Sequence, residues 1–267
     1  MSQTPADTTA SDQPFIKVAD LHKRFGANHV LQGVNIEIGK AESVVILGGS
    51  GAGKSVFLSH LVGLMLADEG QVLIDGCDWK QMDRKQTYHL RRRFGMSFQE
   101  GALFDSLNVF DNIAFPLRRA HRTLKRGEIK DRVEECLEIV GMPGIANLTP
   151  SELSGGMRRR VGFARAIALE PEILLFDEPT TGLDPIMTSV LSEVIVDMRE
   201  KLKATTITIT HDIRSAEMIA NRVVMMFQGR LVHEAPRDTF FATRDPIVRQ
   251  FLDGNAKGPA TAALIKR

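Results

Sequence analysis

The sequence predicts an α/β fold built around a mainly parallel β-sheet. Residues 43–47 form an almost wholly apolar run, as expected of a strand that other elements cover on both faces. A glycine-rich segment follows this run directly, and a helical pattern of apolar residues follows the glycines. The order of apolar strand and amphipathic helix returns at 173–202, and strands that alternate with helices are typical of parallel sheets.

The other strands are predicted from their periodicity. Near the start, a short strand at 15–18 precedes a segment in which Val34, Ile36 and Ile38 alternate with polar residues, the period of a strand with one buried face. Further along the chain, runs of apolar or β-branched residues predict strands at 71–75, 94–98, 173–176, 205–210, 223–227 and 231–233.

Helical periodicity dominates two regions. In the first region a predicted helix ends at Gly141 and has one apolar face, which consists of Ile129, Val133, Cys136, Leu137 and Val140. Because Cys136 lies on this face, we interpret it as a packing residue. We therefore expect an all-helical insertion at about 101–158. Asp184 and Pro185 supply an N-cap and a proline at the first helical position, which predicts a helix from there to Leu202.

Composition limits the possible functions. The 267 residues carry a formal net charge of +1, which gives no general electrostatic basis for binding nucleic acid. The two cysteines lie far apart, which favours a reducing compartment. No apolar run approaches the roughly 20 residues that span a bilayer. We expect a disordered tail at 1–13, a folded domain at 14–253 and an extended tail at 254–267.

The glycine-rich segment fits the phosphate-loop pattern G-x-x-x-x-G-K-[ST], and it lies between a strand and a helix as that pattern requires. Its backbone amides would surround phosphate groups, Lys54 would neutralise them, and the Ser55 hydroxyl would bind Mg²⁺. The alternative is a glycine-rich turn that contains a lysine by chance. The segment consists of Gly48, Gly49, Ser50, Gly51, Ala52, Gly53, Lys54 and Ser55.

Polar residues follow three other predicted strands. Asp177 and Glu178 come directly after the strand at 173–176, where ligands bind in parallel sheets, so Asp177 is a candidate Mg²⁺ ligand and Glu178 a candidate general base. His211 follows 205–210 and would contact the γ-phosphate or the attacking water. Gln99 follows 94–98, and its amide could reach the metal or the water. Taken singly, the acidic pair could open a loop and the histidine could be structural.

A second candidate anion site occurs at Leu153 to Met157, which reads LSGGM. The Ser154 hydroxyl and the amides of Gly155 and Gly156 precede a predicted helix, an arrangement that favours negative charge. The phosphate loop already serves the nucleotide of its own chain. A second cradle would then best serve a nucleotide held by another copy, which predicts a two-fold dimer with ATP between the subunits.

Together these motifs resemble the ATP-binding-cassette (ABC) family, in the same order and over about residues 14–250. The resemblance implies an ATPase with a RecA-like core, an antiparallel β subdomain and an inserted helical subdomain, with ATP and Mg²⁺ as cofactors. It also implies that Phe25 stacks on adenine and that Asp184 contacts the opposite subunit; the alternative for Phe25 is packing in the core. A groove formed by the segment from Gln99 to Phe104 and the helical insertion would receive a cytoplasmic helix of a membrane permease, unless Ala102, Leu103 and Phe104 only pack within the insertion.

A narrower resemblance links the chain to ATPases of bacterial phospholipid transporters that work with MCE-domain proteins. Most ABC proteins carry glutamine at the position of Met157, and the segments at 99–104, 108–112 and 248–254 are also similar to that group, whereas 180–182 follows the general family. This resemblance implies a periplasmic MCE protein, a small STAS-domain protein and a location at the cytoplasmic face of the inner membrane. Alternatives are a transporter of another cargo, an ABC ATPase that acts on DNA or ribosomes, and a protein that uses ATP only as a switch.

Overall fold

The computed structural model describes residues 13–99, 101–121 and 123–265 and confirms the α/β fold. Of the tail predicted at 1–13, residues 1–12 lie outside this description. The strands are β1 (Ile16–Phe25), β2 (Asn28–Ile38), β3 (Ser43–Leu47), β4 (Glu69–Ile74), β5 (Cys77–Asp78), β6 (Phe94–Ser97), β7 (Ile173–Asp177), β8 (Thr205–Thr210), β9 (Arg222–Phe227) and β10 (Arg230–Pro236). The α-helices are α1 (Lys54–Leu61), α2 (Arg84–Arg91), α3 (Val109–Ala120), α4 (Arg126–Ile139), α5 (Gly155–Ile167), α6 (Pro185–Leu202), α7 (Ile213–Ile219), α8 (Arg237–Phe241), α9 (Pro246–Leu252) and α10 (Pro259–Ile265).

The larger sheet aligns the ends of its parallel strands. Its order is β10-β9-β3-β8-β7-β6, in which β10 pairs antiparallel and the other neighbours pair parallel. In this register Leu47 lies beside Thr210, and Phe176 lies beside Ser97. The carboxyl ends of β3, β8, β7 and β6 therefore meet at one edge, where each strand leads into a predicted site motif.

A second, antiparallel sheet covers one face of the parallel sheet and has the order β2-β1-β4-β5. Successive side chains of a strand point to opposite faces, and β3 shows the consequence. Val44 and Ile46 are buried in the core that includes the antiparallel sheet and α1, whereas Val45 and Leu47 are buried in the core that includes the helical insertion. Because both faces of β3 are covered, it is apolar at nearly every position.

The helical insertion comprises α3, α4 and the start of α5. The prediction that Cys136 packs in its core is confirmed, because the side chain is fully buried and burial raises the pKa of its thiol to about 12. The fully buried Asn112 amide donates to the carbonyl oxygens of Phe104, Leu107 and Asn108 and accepts from the Phe104 amide, which fixes the segment before α3. α5 continues to Ile167, so the boundary predicted at 158 falls inside a helix.

The prediction of an extended tail at 254–267 is wrong for residues 259–265, which form α10. The buried Gln250 side chain holds this segment against α9: it accepts from the Ala260 amide at 2.8 Å and donates to the Thr261 hydroxyl at 2.6 Å. The sequence of α10 contains three alanines, the strongest helix former, which the tail prediction overlooked.

None of the helices in the described ranges is both long enough and apolar enough to cross a membrane.

Candidate active site

The phosphate loop connects the end of β3 to the start of α1. A Cβ on Gly48 would lie 2.4 Å from the carbonyl oxygen of Met226, so the loop approaches β9 more closely than any other residue would allow. Gly53, the residue before α1, has a φ of 106°, which side chains disfavour. The Lys54 ammonium is buried, and its Nζ donates to the carbonyl oxygens of Gly48 at 2.7 Å and Gly49 at 3.1 Å. The positive charge therefore lies inside the loop.

Asp177, the last residue of β7, lies opposite the first turn of α1. The Ser55 hydroxyl donates to Oδ1 of Asp177 at 3.5 Å. Burial and then the neighbouring Glu178 charge raise the pKa of Asp177, while Lys54 and the Ser55 hydrogen bond act in the opposite direction. A carboxylate beside a hydroxyl fits Mg²⁺ that takes its other ligands from phosphate and water. The described ranges hold no cluster of three or more His, Cys, Asp or Glu side chains that could hold a metal ion.

Glu178 is held by several neighbours and has a φ of 49°, in the left-handed region. Its Oε2 accepts from the Thr181 hydroxyl at 2.9 Å, from His211 Nδ1 at 2.9 Å and from the His211 amide at 3.3 Å, and its Oε1 lies 3.4 Å from Lys54 Nζ. Burial disfavours its charge, but the hydrogen bonds from His211 and Thr181 and the charge of Lys54 outweigh this effect. The pKa of Glu178 is therefore lowered, and the side chain is ionised at neutral pH.

One cavity of about 850 Å³ joins these groups. The phosphate loop from Gly49 to Ser55 forms part of its lining, together with Gln99, Asp177, Glu178 and His211. Its volume is in the range of small-molecule sites, roughly 300–1,000 Å³. The aligned strand ends thus bring together residues from four separate parts of the chain.

The second predicted cradle lies apart from this cavity. Ser154 caps α5, where its Oγ accepts from the Met157 amide at 3.3 Å, and a Cβ on Gly155 would meet nothing within 4 Å. Neither these two residues nor Gly156 lines the cavity of their own chain. Asp184 is exposed and caps α6, because its Oδ1 accepts from two backbone amides at 2.9 and 3.0 Å.

Phe25 ends β1 at the tip of the β1–β2 hairpin and is 47% exposed, so it is not a core residue. Lys23 Nζ lies 5.7 Å from the centroid of its ring. The ring does not line the cavity, but Asn28, its partner across the hairpin, does. Phe25 therefore lies next to the cavity rather than in its wall.

Several cavity residues were missed by the motif analysis: Asn28, Val30, Thr181, Ile213 and Phe251. Thr181 stands three residues after Glu178, and this spacing could have suggested a hydrogen bond. Phe251 belongs to α9, near the end of the chain, and nothing in its local sequence marks it as a cavity residue.

A smaller cavity of about 360 Å³ lies between the end of β6 and the helical insertion. Its lining includes Phe98, Phe104 and Phe115, each more than 40% exposed. The Phe104 and Phe115 rings lie 5.0 Å apart, and the Arg165 guanidinium lies 5.5 Å from the Phe104 ring. Of the segment predicted for the groove, Ala102 and Phe104 line it, whereas Leu103 packs against the core and Gln99 lines the larger cavity.

A phosphate loop after a central strand and carboxylates after β7, which β8 separates from that strand, define a P-loop nucleotide hydrolase. The family model described as "ABC transporter" matches residues 31–181. The chain belongs to this family and is an ATPase, which confirms the family predicted from the motifs. Cassettes of this family bind ATP, dimerise and work with membrane permeases.

The chain is similar to curated relatives along most of its length. It is 44% identical to the probable ribonucleotide transport ATP-binding protein mkl of Mycobacterium leprae, over 91% of this chain and 70% of that protein. It is 39% identical to the intermembrane phospholipid transport system ATP-binding protein MlaF of Escherichia coli, over 91% of this chain and 90% of that protein. The dimeric bacterial ABC transporter cassette MJ0796 has a similar structure, with a TM-score of 0.77, 31% identity and coverage of 84% of this chain and 100% of that one.

Proposed function

We propose that the chain is the ATP-hydrolysing subunit of a transporter that moves phospholipid between the inner and outer membranes of a bacterium, and so maintains the lipid asymmetry of the outer membrane. The observation that carries this proposal is its similarity to MlaF over 90% of that protein. The sequence identity to the mkl protein is higher, at 44% against 39% for MlaF, and the name of the mkl protein makes ribonucleotide the second candidate cargo. However, this chain spans only 70% of the mkl protein.

ATP binds with its phosphates in the loop at 48–55, where Lys54 neutralises them. Ser55, Asp177 and Gln99 hold Mg²⁺, which when bound neutralises the charge that develops on the phosphate oxygens. Glu178 accepts the proton of the attacking water. His211 holds Glu178 through Nδ1. A carboxylate only accepts hydrogen bonds, so this nitrogen carries a proton. In the neutral ring Nε2 is then an acceptor that can bind the attacking water, whereas a contact to the γ-phosphate would require a second proton on Nε2.

Two copies complete each site. Ser154 and the amides of Gly155 and Gly156 bind the γ-phosphate held by a second copy, and Asp184 contacts that copy. The position of these residues outside the cavity of their own chain supports this role. Phe25 stacks on adenine at the edge of the cavity.

The aromatic groove and the similarity to the curated relatives support the proposed transporter partners. The groove at Phe98, Phe104 and Phe115 receives a cytoplasmic helix of an integral membrane permease, which places the chain at the cytoplasmic face of the inner membrane. The similarity to MlaF supports two further partners, a periplasmic MCE lipid-binding protein and a small STAS-domain protein. Nucleotide closes the dimer, and the movement of the helical insertion reaches the permease through the groove.

Ser154→Arg tests the shared site. The arginine would occupy the space of the partner's γ-phosphate without touching the phosphate loop of its own chain. We expect ATP binding to persist and hydrolysis to fall by at least tenfold, measured by equilibrium binding and phosphate release. Turnover at the normal rate would show that the cradle at 154–156 serves no nucleotide.

The transport role is tested by isolating the full chain from detergent-solubilised membranes and measuring ATP hydrolysis by the complex. An integral membrane protein should co-purify, and added phospholipid should stimulate hydrolysis. Stimulation by ribonucleotides other than ATP, with none by lipid, would favour the second cargo. Recovery with ribosomes or DNA instead of a membrane protein would contradict the transport proposal.

A further inference from the structure

The two oxygens of the Glu178 carboxylate have different surroundings. Oε2 accepts three hydrogen bonds, from the Thr181 hydroxyl and from the side chain and amide of His211. A carboxylate oxygen offers about two lone pairs, so Oε2 has no capacity left for a water molecule. Oε1 faces Lys54 Nζ at 3.4 Å, and this ammonium group is the one that the phosphates of ATP attract. Oε1 is therefore the oxygen that nucleotide binding frees.

The loop that carries Thr181 is tied to the helix that begins at Ser154. Arg159 lies on α5, and the residue is 9% exposed. It donates to the carbonyl oxygen of Pro179 at 3.2 Å and to that of Thr181. A planar guanidinium can hold two carbonyls at fixed spacing, which fixes the backbone on which the Thr181 hydroxyl stands.

We propose that Thr181 and Arg159 are positioning residues of the hydrolytic centre: Thr181 holds Oε2 so that Oε1 faces the water, and Arg159 holds Thr181. The inference rests on the proposed role of Glu178 as the base. Water gives its proton to Oε1 as its O–H bond breaks, and its oxygen forms a bond to the γ-phosphorus. The bond from that phosphorus to the bridging oxygen breaks, and ADP leaves with the electron pair.

The arrangement couples the two sites of a dimer. Ser154 and Arg159 lie on the same helix, little more than one turn apart. When Ser154 binds the γ-phosphate of the partner, the helix that it caps is held in place. Arg159 passes that constraint to the base in its own chain, so nucleotide in one site favours hydrolysis in the other.

Thr181→Val tests the hydroxyl, with Thr181→Ser as the conservative variant. Valine keeps the shape and removes the donor, so Oε2 loses one of its three hydrogen bonds and the carboxylate is less firmly oriented. We expect kcat to fall about tenfold while KM for ATP stays within threefold. Serine should restore kcat. The matched control is Thr180→Val, because the Thr180 hydroxyl donates to Asp212 at 3.4 Å and not to Glu178.

Arg159→Lys tests the second step, because one ammonium group cannot reproduce the two-carbonyl fork. We expect a smaller loss of kcat, and the double variant Arg159→Lys, Thr181→Val should lose less than the product of the two single losses, since both act on one linkage. Circular dichroism melting identifies variants that merely unfold.

The inference is overturned if the kcat of Thr181→Val differs no more from that of the wild type than the kcat of Thr180→Val does, or if Thr181→Ser fails to restore it. The role of Arg159 is overturned if the loss of kcat in the double variant equals the product of the losses in Arg159→Lys and Thr181→Val, because the two residues would then act independently. Glu178→Gln separates these outcomes from failure of the proposed function: if that variant hydrolyses ATP normally, the base assignment itself is wrong. If it is inactive while Thr181→Val is normal, only the positioning role fails.

Discussion

Replacement of Glu178 by glutamine removes the candidate base while the length of the side chain is kept. The amide oxygen of glutamine can still accept the hydrogen bonds from Thr181 and His211. Lys54 keeps its contacts to the carbonyls of Gly48 and Gly49 at 2.7 and 3.1 Å. The free energy of unfolding should therefore change by no more than about 1–2 kcal/mol. A general base contributes roughly 10²- to 10⁴-fold, so kcat should fall by that factor, about 3–5 kcal/mol of activation free energy.

The assay measures phosphate release, nucleotide affinity and oligomeric state in parallel. Because the phosphate loop is unchanged, the variant should bind ATP with near wild-type affinity and accumulate as an ATP-bound dimer on gel filtration. Glu193→Gln, a change at an exposed position on α6, is the matched control and should behave as wild type. A Glu178→Gln protein that retains more than a tenth of wild-type kcat would refute the assignment of Glu178 as the base.

Two further predictions concern packing. Gly48→Ala puts a Cβ 2.4 Å from the Met226 carbonyl oxygen, so the free energy of unfolding, measured by thermal melting, should fall by roughly 1–3 kcal/mol and ATP binding should weaken. The control is Gly127→Ala: a Cβ at Gly127 would meet nothing within 4 Å, so this variant should lose no stability. Cys77 is exposed, whereas Cys136 is buried and burial raises the pKa of its thiol to about 12. A thiol reagent at neutral pH should therefore label only Cys77 in the native chain and both cysteines after unfolding. Two labels on the native protein would contradict the buried position of Cys136.

The sequence predicted the elements whose requirements are local. The strand β3 is apolar at every position but one because both its faces are buried, and the loop after it needs glycine at 48 and 53 for contacts and angles that the motif encodes. In a parallel sheet the carboxyl ends of all strands lie at one edge, whatever the order of the strands. Asp177, His211 and Gln99 could therefore be assigned to the same edge although they come from separate segments.

The rest depends on packing between segments that are distant in sequence. Phe251 reaches the cavity only because α9 folds back near His211, and the position of α10 depends on the buried Gln250 amide. The bonds from Arg159 to the carbonyls after Glu178 require that α5 lie against the end of β7. A run of three arginines at 158–160 reads as a solvated helix face, yet Arg159 is buried, and only the fold distinguishes it from its neighbours.

The geometry of α5 gives a physical reason why dimer closure and hydrolysis would occur together. The Ser154 oxygen accepts the cap hydrogen bond from Met157, so the hydroxyl proton remains able to donate to an anion outside the chain. The same helix, little more than one turn later, holds the carbonyls of the loop that positions Glu178. An anion bound at Ser154 therefore acts on a helix whose buried Arg159 holds the loop that positions the base. A cassette built this way would hydrolyse slowly as a monomer even with ATP bound, because neither the γ-phosphate contact nor the constraint on α5 is then in place.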